Sequence, residues 1–172
     1  MKEKAIKLKA DRKSVAGLLP AAKKGKVEQL RALLDDGANI ERKNNRGQTA
    51  LVRASEFGRF ECIQFLLDRG ADANAGRKFC SLVYASMSGH VESVRLLLDH
   101  GAKIDTKSYY GLTPLMYACL SGQAACVALL LERGADTSLS TPGGLSATDY
   151  STSAEILQLL LDASNKTDYV LK

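Results

Sequence analysis

The sequence has few of the groups on which enzyme chemistry depends. Its 172 residues include only two histidines, and histidine is the side chain used most often for acid–base catalysis near neutral pH. His90 and His100 both lie beside a glycine, where a polar residue at a helix end is expected. The sequence contains no G-x-S-x-G, H-E-x-x-H or phosphate-cradling glycine loop. These absences predict a protein that is not an enzyme and has no catalytic residue.

Long apolar runs and metal-binding cysteine spacings are also missing. No stretch of about 18 uninterrupted apolar residues is present, so no membrane span is expected. The N-terminal "MKEKAIKLKADRKS" has charges throughout and lacks the apolar core of a secretory signal. The four cysteines form no C-x-x-C pair and have no histidine at zinc-ligand spacing. We therefore expect reduced thiols, no metal or cofactor, and a cytoplasmic or nuclear location.

The net charge of +5 is concentrated at the N-terminus. Residues 1–13 contain six basic and two acidic side chains, which leaves +1 on the other 159 residues. Two interpretations of this basic leader remain open. The leader is either a solvated, flexible segment, or its residues 2–13 contact nucleic acid or an anionic membrane. The first is favoured because no aromatic residues separate the cations.

Two series of glycines recur along the chain with the same intervals. The first, each followed by alanine, is Gly37, Gly70, Gly101 and Gly134, with spacings of 33, 31 and 33. The second lies twelve residues upstream, at Gly25, Gly58, Gly89 and Gly122. Apolar residues at helical spacing precede both series, as in "VESVRLLLDHGA" and "TPLMYACLSG". Each block is therefore predicted to be a short helix, a glycine turn, a longer helix and an extended polar link.

The block that starts at Gly111 resembles a known repeat family. In "GLTPLMYACLSGQ", Thr113 is placed to cap a helix and Pro114 to be its first residue. A period near 33, the T-P-L-x-x-A pattern and a closing G-A-D resemble the ankyrin repeat. The resemblance covers about residues 14–163. It implies an all-α ankyrin-repeat solenoid of stacked helix–turn–helix units with β-hairpin-like finger loops.

Stacking explains how such short helices stay folded. A helix of about two turns is marginal alone, but neighbouring repeats cover each other's apolar faces. The expected packing residues of the fourth block are Leu115, Ala118, Val127, Leu130 and Leu131. Cys62 and Cys126 occupy equivalent apolar positions, so packing is favoured over thiol reactivity there.

The repeats and their ends suggest a division of the chain. We expect a flexible basic leader at 1–13, an ankyrin-repeat domain at 14–163 and a frayed tail at 164–172. The domain comprises an N-capping repeat at 14–44, full repeats at 45–75, 76–106 and 107–140, and a C-capping repeat at 141–163. In the last repeat the turn between the helices is shortened, and in the first Lys23, Lys24 and Lys26 suggest a polar outer surface. The link from Gly70 to Ser81 is also short, with Lys78 where other repeats have glycine.

In proteins of this family the finger tips and the exposed face of each first helix form a groove that holds another protein. Many residues at these positions are of types enriched in interfaces, such as Tyr, Phe, Met and Arg. Two alternatives remain open, namely that Phe79 folds back into its finger and that Leu120 packs on the next repeat. The predicted partner-binding residues are Asn45, Arg46, Gln48, Glu56, Phe57, Arg77, Lys78, Phe79, Met87, Tyr109, Tyr110, Leu112 and Leu120.

These features predict a monomeric, non-enzymatic adaptor or scaffold that binds a partner protein and no small-molecule substrate. One alternative is a stoichiometric inhibitor of an enzyme such as a protein kinase, by analogy with small inhibitors built of ankyrin repeats. Another is an electrostatic tether to nucleic acid or anionic membrane through the basic leader.

Overall fold

The computed structural model describes residues 17–76 and 80–170, with side chains up to residue 165. The chain divides into two compact units, Met1–Ser81 and Leu82–Lys172. Within the described residues every regular element is an α-helix, and none is long and apolar enough to cross a membrane. The first unit contains α1 (17–24), α2 (Val27–Asp35), α3 (Ala50–Glu56) and α4 (Phe60–Asp68). The second contains α5 (Ser81–Met87) from its second residue onward, α6 (Val91–Asp99), α7 (Pro114–Leu120), α8 (Ala124–Glu132) and α9 (Ala154–Val170).

A threonine cap starts the short helices α3 and α7. The Thr113 hydroxyl accepts a hydrogen bond from the Met116 N–H at 3.3 Å, and Pro114 follows as the first helical residue. The Thr49 hydroxyl accepts from the Val52 N–H at the same distance. Each cap pairs one N–H that the helix itself leaves without a partner. The predicted start of α7 is therefore confirmed.

The recurring Gly-Ala pair ends the longer helices α2, α4, α6 and α8. At the end of α8 the Gly134 N–H bonds the Leu131 carbonyl at 3.1 Å, and the Ala135 N–H bonds the Leu130 carbonyl at 3.0 Å. Gly134 has a φ of +85°, which a residue with a side chain rarely adopts. These two hydrogen bonds together form the Schellman motif, a common way for a helix to end. Ala135 then turns its small side chain inward and is buried.

Packing within each unit follows the repeat pattern. In the first unit α4 contacts α2 and α3, and in the second α8 contacts α6, α7 and α9. Of the predicted packing residues of the fourth block, Leu115, Ala118, Val127 and Leu130 are buried. Leu131 is only half-buried, and Leu129 is buried in addition. We attribute the difference to the three neighbours of α8, which cover more than the one stripe that the periodicity predicts.

Equivalent contacts join consecutive repeats inside both units. Arg69 pairs with Asp35 at 2.8 Å, and Arg133 pairs with Asp99 at 2.7 Å. Each pair links the end of one longer helix to the end of the preceding one. These pairs are partly exposed, so each contributes on the order of 0.2–1 kcal/mol and sets register more than stability.

The C-terminal repeat departs from the sequence prediction. Residues 147–150 form turns rather than a first helix, so the shortening removes the helix itself. The turn is held by Asp149, whose carboxylate accepts bonds from the Ser146 N–H at 2.7 Å and hydroxyl at 2.8 Å. The Ser153 hydroxyl then caps α9 by accepting from the Ile156 N–H at 3.2 Å. Helix α9 continues to Val170, so most of the predicted frayed tail at 164–172 is helical.

Candidate functional site

The finger tip at 108–112, which we call the tyrosine tip, is held in a fixed turn. The Ser108 N–H bonds the Leu112 carbonyl and the Gly111 N–H bonds the Ser108 carbonyl, both at 2.9 Å. The Ser108 hydroxyl shares a hydrogen bond of 3.1 Å with the Tyr117 hydroxyl and accepts one of 3.3 Å from the Tyr110 N–H. Tyr117 lies on α7, so the tip is anchored to the helix that follows it.

The two tyrosines of this tip are the most exposed large apolar side chains described. Tyr109 is 71% exposed and Tyr110 57%. Their rings meet edge to face, with centroids 5.3 Å apart and planes at 84°. Among the other predicted residues of the second unit, Leu120 at the end of α7 is 48% exposed, whereas Leu112 and Met87 are half-buried. The tip thus presents aromatic surface from a rigid turn.

The finger of the first unit repeats this hydrogen-bond pattern with different side chains. The Asn44 N–H bonds the Gln48 carbonyl at 3.0 Å, and the Gly47 N–H bonds the Asn44 carbonyl at 2.9 Å. The Asn44 carboxamide oxygen also accepts from the N–H groups of Arg46 at 2.9 Å and Gln48 at 3.0 Å. Asn45 and Arg46 are exposed here. Both are predicted partner-binding residues, and both are accessible to a partner.

Gln48 and Glu56 are more enclosed than their predicted role implies. Gln48 is only 6% exposed, accepts from the Asn44 side chain at 3.0 Å and donates to the Glu56 carboxylate at 3.4 Å. Glu56 also pairs with Arg53 and is half-buried. The sequence places Gln48 on the exposed tip, whereas the structure places it beneath the tip as a support. Its amide is held there because the finger and α3 enclose it.

Phe57 is half-buried and engaged by two cations of its own chain. The Lys23 ammonium lies 4.9 Å from the ring centroid, and the Arg53 guanidinium lies at the same distance. Cations over an aromatic face are attracted by its negative potential. The structure therefore gives Phe57 an intramolecular role in fixing Lys23 and Arg53.

A cleft of about 670 Å³ in the first unit, which we call the basic cleft, is lined mainly by cations. Apart from the cations, its lining consists of Leu19, Pro20 and the amides of Asn44, Asn45 and Gln48, without a carboxylate. The cations come from α1, the finger that follows α2, and α3. They are Lys23, Lys24, Arg42, Lys43, Arg46 and Arg53.

Among these six cations, only Arg46 is predicted from the sequence to bind a partner. The sequence predicts that Lys23 and Lys24 belong to a polar outer surface of the first repeat, whereas both line the cleft. The doublets Lys23-Lys24 and Arg42-Lys43 were visible in the sequence. They are nineteen residues apart, outside the repeat period, so only the fold shows that they converge.

Three further predicted partner-binding residues lie outside the described part of the chain. These are Arg77, Lys78 and Phe79 in the short link between the second and third repeats. Their predicted role, and the alternative that Phe79 fills its finger, stay predictions.

Three of the four cysteines lie in environments that suppress thiolate chemistry. None of the four forms a disulfide bond, and Cys62, Cys119 and Cys126 are buried. Burial raises the pKa of Cys62 and Cys126 to about 11 and that of Cys119 to about 12. A nucleophilic cysteine needs a lowered pKa. The packing interpretation of Cys62 and Cys126 agrees with this burial.

The two histidines occupy helix ends. His90 precedes the first residue of α6, and His100 follows its last, where the His100 Nδ1 lies 2.9 Å from the Leu96 carbonyl oxygen. In the described part of the chain, no three His, Cys, Asp or Glu side chains come together as a set that could hold a metal ion.

Comparison with protein families agrees with the repeat geometry. The family model described as ankyrin repeats (many copies) matches residues 18–74, and the model described as ankyrin repeats (3 copies) matches residues 76–141. The chain belongs to the ankyrin repeat family. Ankyrin repeats are protein–protein interaction modules, and the proteins built of them are typically not enzymes.

Curated relatives are similar to this chain over parts of their length. The ankyrin repeat protein YahD of Escherichia coli is 34% identical over 65 residues, 38% of this chain and 32% of that protein. Ankyrin repeat domain-containing protein 29 of Danio rerio is 41% identical over 59 residues, 34% of this chain and 20% of that protein. The human mitochondrial disaggregase is 37% identical over 67 residues, 39% of this chain and 10% of that protein. The matches thus span a third or less of these relatives.

Proposed function

We propose that this ankyrin-repeat chain is a non-enzymatic adaptor that binds another protein through its finger tips, with the tyrosine tip as the principal anchor. The observation that carries the proposal is the exposure of Tyr109 and Tyr110, 71% and 57%, on a turn held by backbone hydrogen bonds. Leaving two aromatic rings in water forgoes the free energy of burying them. Tyrosines in such positions are frequent energetic centres of interfaces.

The rigidity of the tip favours binding. A partner that covers the rings does not have to order a flexible loop, so less conformational entropy is lost on association. Pro142 of the next finger adds to this restraint, because a side chain at Gly111 would place its Cβ 2.5 Å from the Pro142 Cδ. The tip and the next finger are therefore closely packed, and the tyrosines project from a supported surface.

The test compares two double variants of the full chain. Tyr109→Ala/Tyr110→Ala removes the aromatic surface, whereas Leu157→Ala/Leu161→Ala removes exposed apolar surface from α9, where these leucines are 40% and 45% exposed. Proteins captured from cells by the wild type and the leucine variant, but lost with the tyrosine variant, are partners that contact the tip.

The affinity of one such purified partner is then measured by calorimetry. Loss of hot-spot tyrosines should weaken binding by on the order of 2 kcal/mol or more, about 30-fold. The leucine variant should bind like the wild type. If every captured protein binds the tyrosine variant with unchanged affinity, the tip is not the anchor and the proposal fails.

A further inference from the structure

We propose that the basic cleft of the first unit binds an acidic peptide segment, rich in Asp and Glu, of a partner protein. This site goes beyond the proposed function, because it lies on other residues than the tyrosine tip and specifies the charge of what it binds. The juxtaposition that carries it is six cationic side chains around a concave surface whose lining contains no carboxylate.

The positive charge of the cleft is largely uncompensated. Arg53 is paired with Glu56, and Lys23 lies over Phe57. The other four cations, Lys24, Arg42, Lys43 and Arg46, form no ion pair with any residue that the structure describes. Like charges held close together repel each other, and a ligand carboxylate relieves that repulsion as well as adding its own attraction.

The walls of the cleft are fixed before a ligand arrives. Lys23 is held by Phe57 through its side chain and by Arg59, whose Nε donates to the Lys23 carbonyl at 3.0 Å. Arg53 is held by Phe57 and Glu56. On the opposite segment, the Arg46 N–H is bonded to the Asn44 side chain at 2.9 Å. A preformed site loses less conformational entropy on binding.

The rest of the lining favours a peptide over a nucleic acid. A volume of about 670 Å³ is in the range of ordinary ligand sites, and Leu19 and Pro20 add apolar surface. The amide of Asn45 offers hydrogen bonds suited to a peptide backbone. Single-stranded nucleic acids are bound by stacking on aromatic rings, but the lining has none. Phe57 is already engaged by Lys23 and Arg53.

The chain's own N-terminus does not complement this cleft. Residues 1–13 carry a net side-chain charge of +4, the same sign as the cleft, so electrostatics oppose their entry. Residues 1–13 are therefore not the proposed occupant.

The experiment measures fluorescence anisotropy of a fluorescein-labelled octapeptide of Glu and Asp with the full chain at low salt. We expect saturable binding that weakens as salt is added, because exposed charges are screened. Lys43→Glu/Arg46→Glu should lower the affinity at least tenfold. Both side chains are exposed and form no side-chain hydrogen bond or ion pair within the described part of the chain, so the fold should persist, as circular dichroism would verify.

The matched control is Lys26→Glu/Lys103→Glu, which changes the net charge equally at exposed positions outside the cleft. It should bind the peptide within twofold of the wild type. The basic leader is present in both variants, so any contribution from it affects them alike. Tyr109→Ala/Tyr110→Ala should also bind normally, which separates this result from the test of the tyrosine tip.

Three outcomes would overturn the proposal. Equal losses of peptide affinity in the cleft variant and the control variant would mean that the peptide is attracted only by the overall charge of the protein. Tighter binding of a labelled eight-residue oligothymidylate than of the acidic peptide would mean a nucleic-acid surface. Absence of peptide binding would mean that the cleft does not take the proposed ligand, whether or not the protein adsorbs to anionic phosphatidylserine vesicles.

A milder variant, Lys43→Ser/Arg46→Ser, removes the two charges without reversing them. It should lower the affinity for the peptide less than Lys43→Glu/Arg46→Glu does.

Discussion

At the scale of single residues, side chains that the sequence marks as reactive or exposed often have a structural task. Phe57 positions Lys23 and Arg53, and Gln48 supports the finger from beneath. Cys119 likewise packs in α7, where burial raises its pKa to about 12. The raised pKa has a consequence for stability, because the unfolded chain releases the thiol proton more readily than the folded chain does.

We predict that Cys119→Ala reduces the alkaline instability of the protein. A folded-state pKa above the unfolded value gives stability that is present in full below the unfolded pKa. That stability is lost as pH rises through the folded pKa. The raised pKa of Cys119 therefore makes the folded protein lose stability as the pH rises from about 9 to about 12. Urea unfolding at pH 7.5 and pH 10.5 should show a smaller loss of stability in the variant than in the wild type.

The control for this prediction is Val127→Ala, which changes a buried residue of α8 that has no ionisable group. It should lower stability by similar amounts at both pH values. If the free energy of unfolding of Cys119→Ala fell with pH as much as that of the wild type, the Cys119 thiol would not contribute to the alkaline loss of stability.

At the scale of one element, the short helices combine a local start signal with burial. Helix α7 has only seven residues, and six of them are buried. Its cap is the Thr113 hydroxyl, which is itself almost fully buried. The hydroxyl matters more here than at an exposed cap, because water does not replace it as the partner of the Met116 N–H.

We predict that Thr113→Ala lowers the free energy of unfolding by about 1 kcal/mol, within the range of 0.5–2 kcal/mol known for such caps. The measurement is urea denaturation followed by circular dichroism. Thr113→Ser is the matched control, since it keeps the hydroxyl and should retain most of the stability. Equal losses in both variants would assign the effect to the missing methyl group instead of the cap.

At the scale of the whole molecule, stability comes from contacts between repeats within each unit. Helix α8 contacts α6, α7 and α9, and Leu130 is fully buried there. In such repeat architectures the stability is approximately a sum over repeats and the interfaces between nearest neighbours. A defect in one longer helix should therefore weaken its neighbours too.

We predict that Leu130→Ala destabilises the protein by about 2–5 kcal/mol, the usual cost of removing a buried leucine side chain. Hydrogen exchange should show reduced protection in α7 and α9 as well as in α8. Leu157→Ala, at a position 40% exposed on α9, is the control and should change stability by about 0.5 kcal/mol or less. Loss of protection confined to α8 would contradict coupling between the repeats.

The sequence by itself determined the repeat period, the start of α7 and the ends of α2, α4, α6 and α8. Thr113-Pro114 and Gly134-Ala135 act through hydrogen bonds to residues no more than five positions away. Their effect can therefore be predicted from a short stretch of the sequence. The exposed aromatic pair at the tyrosine tip also follows from its place in the repeat.

Only the tertiary structure decided which side chains meet across elements. It placed Lys23 and Lys24 in one cleft with Arg42 and Lys43, and it buried Leu129 more deeply than Leu131. It also removed the first helix of the last repeat, where the sequence predicts a shortened turn. These features depend on contacts between residues far apart in the chain, and a local pattern carries no information about the distance between them.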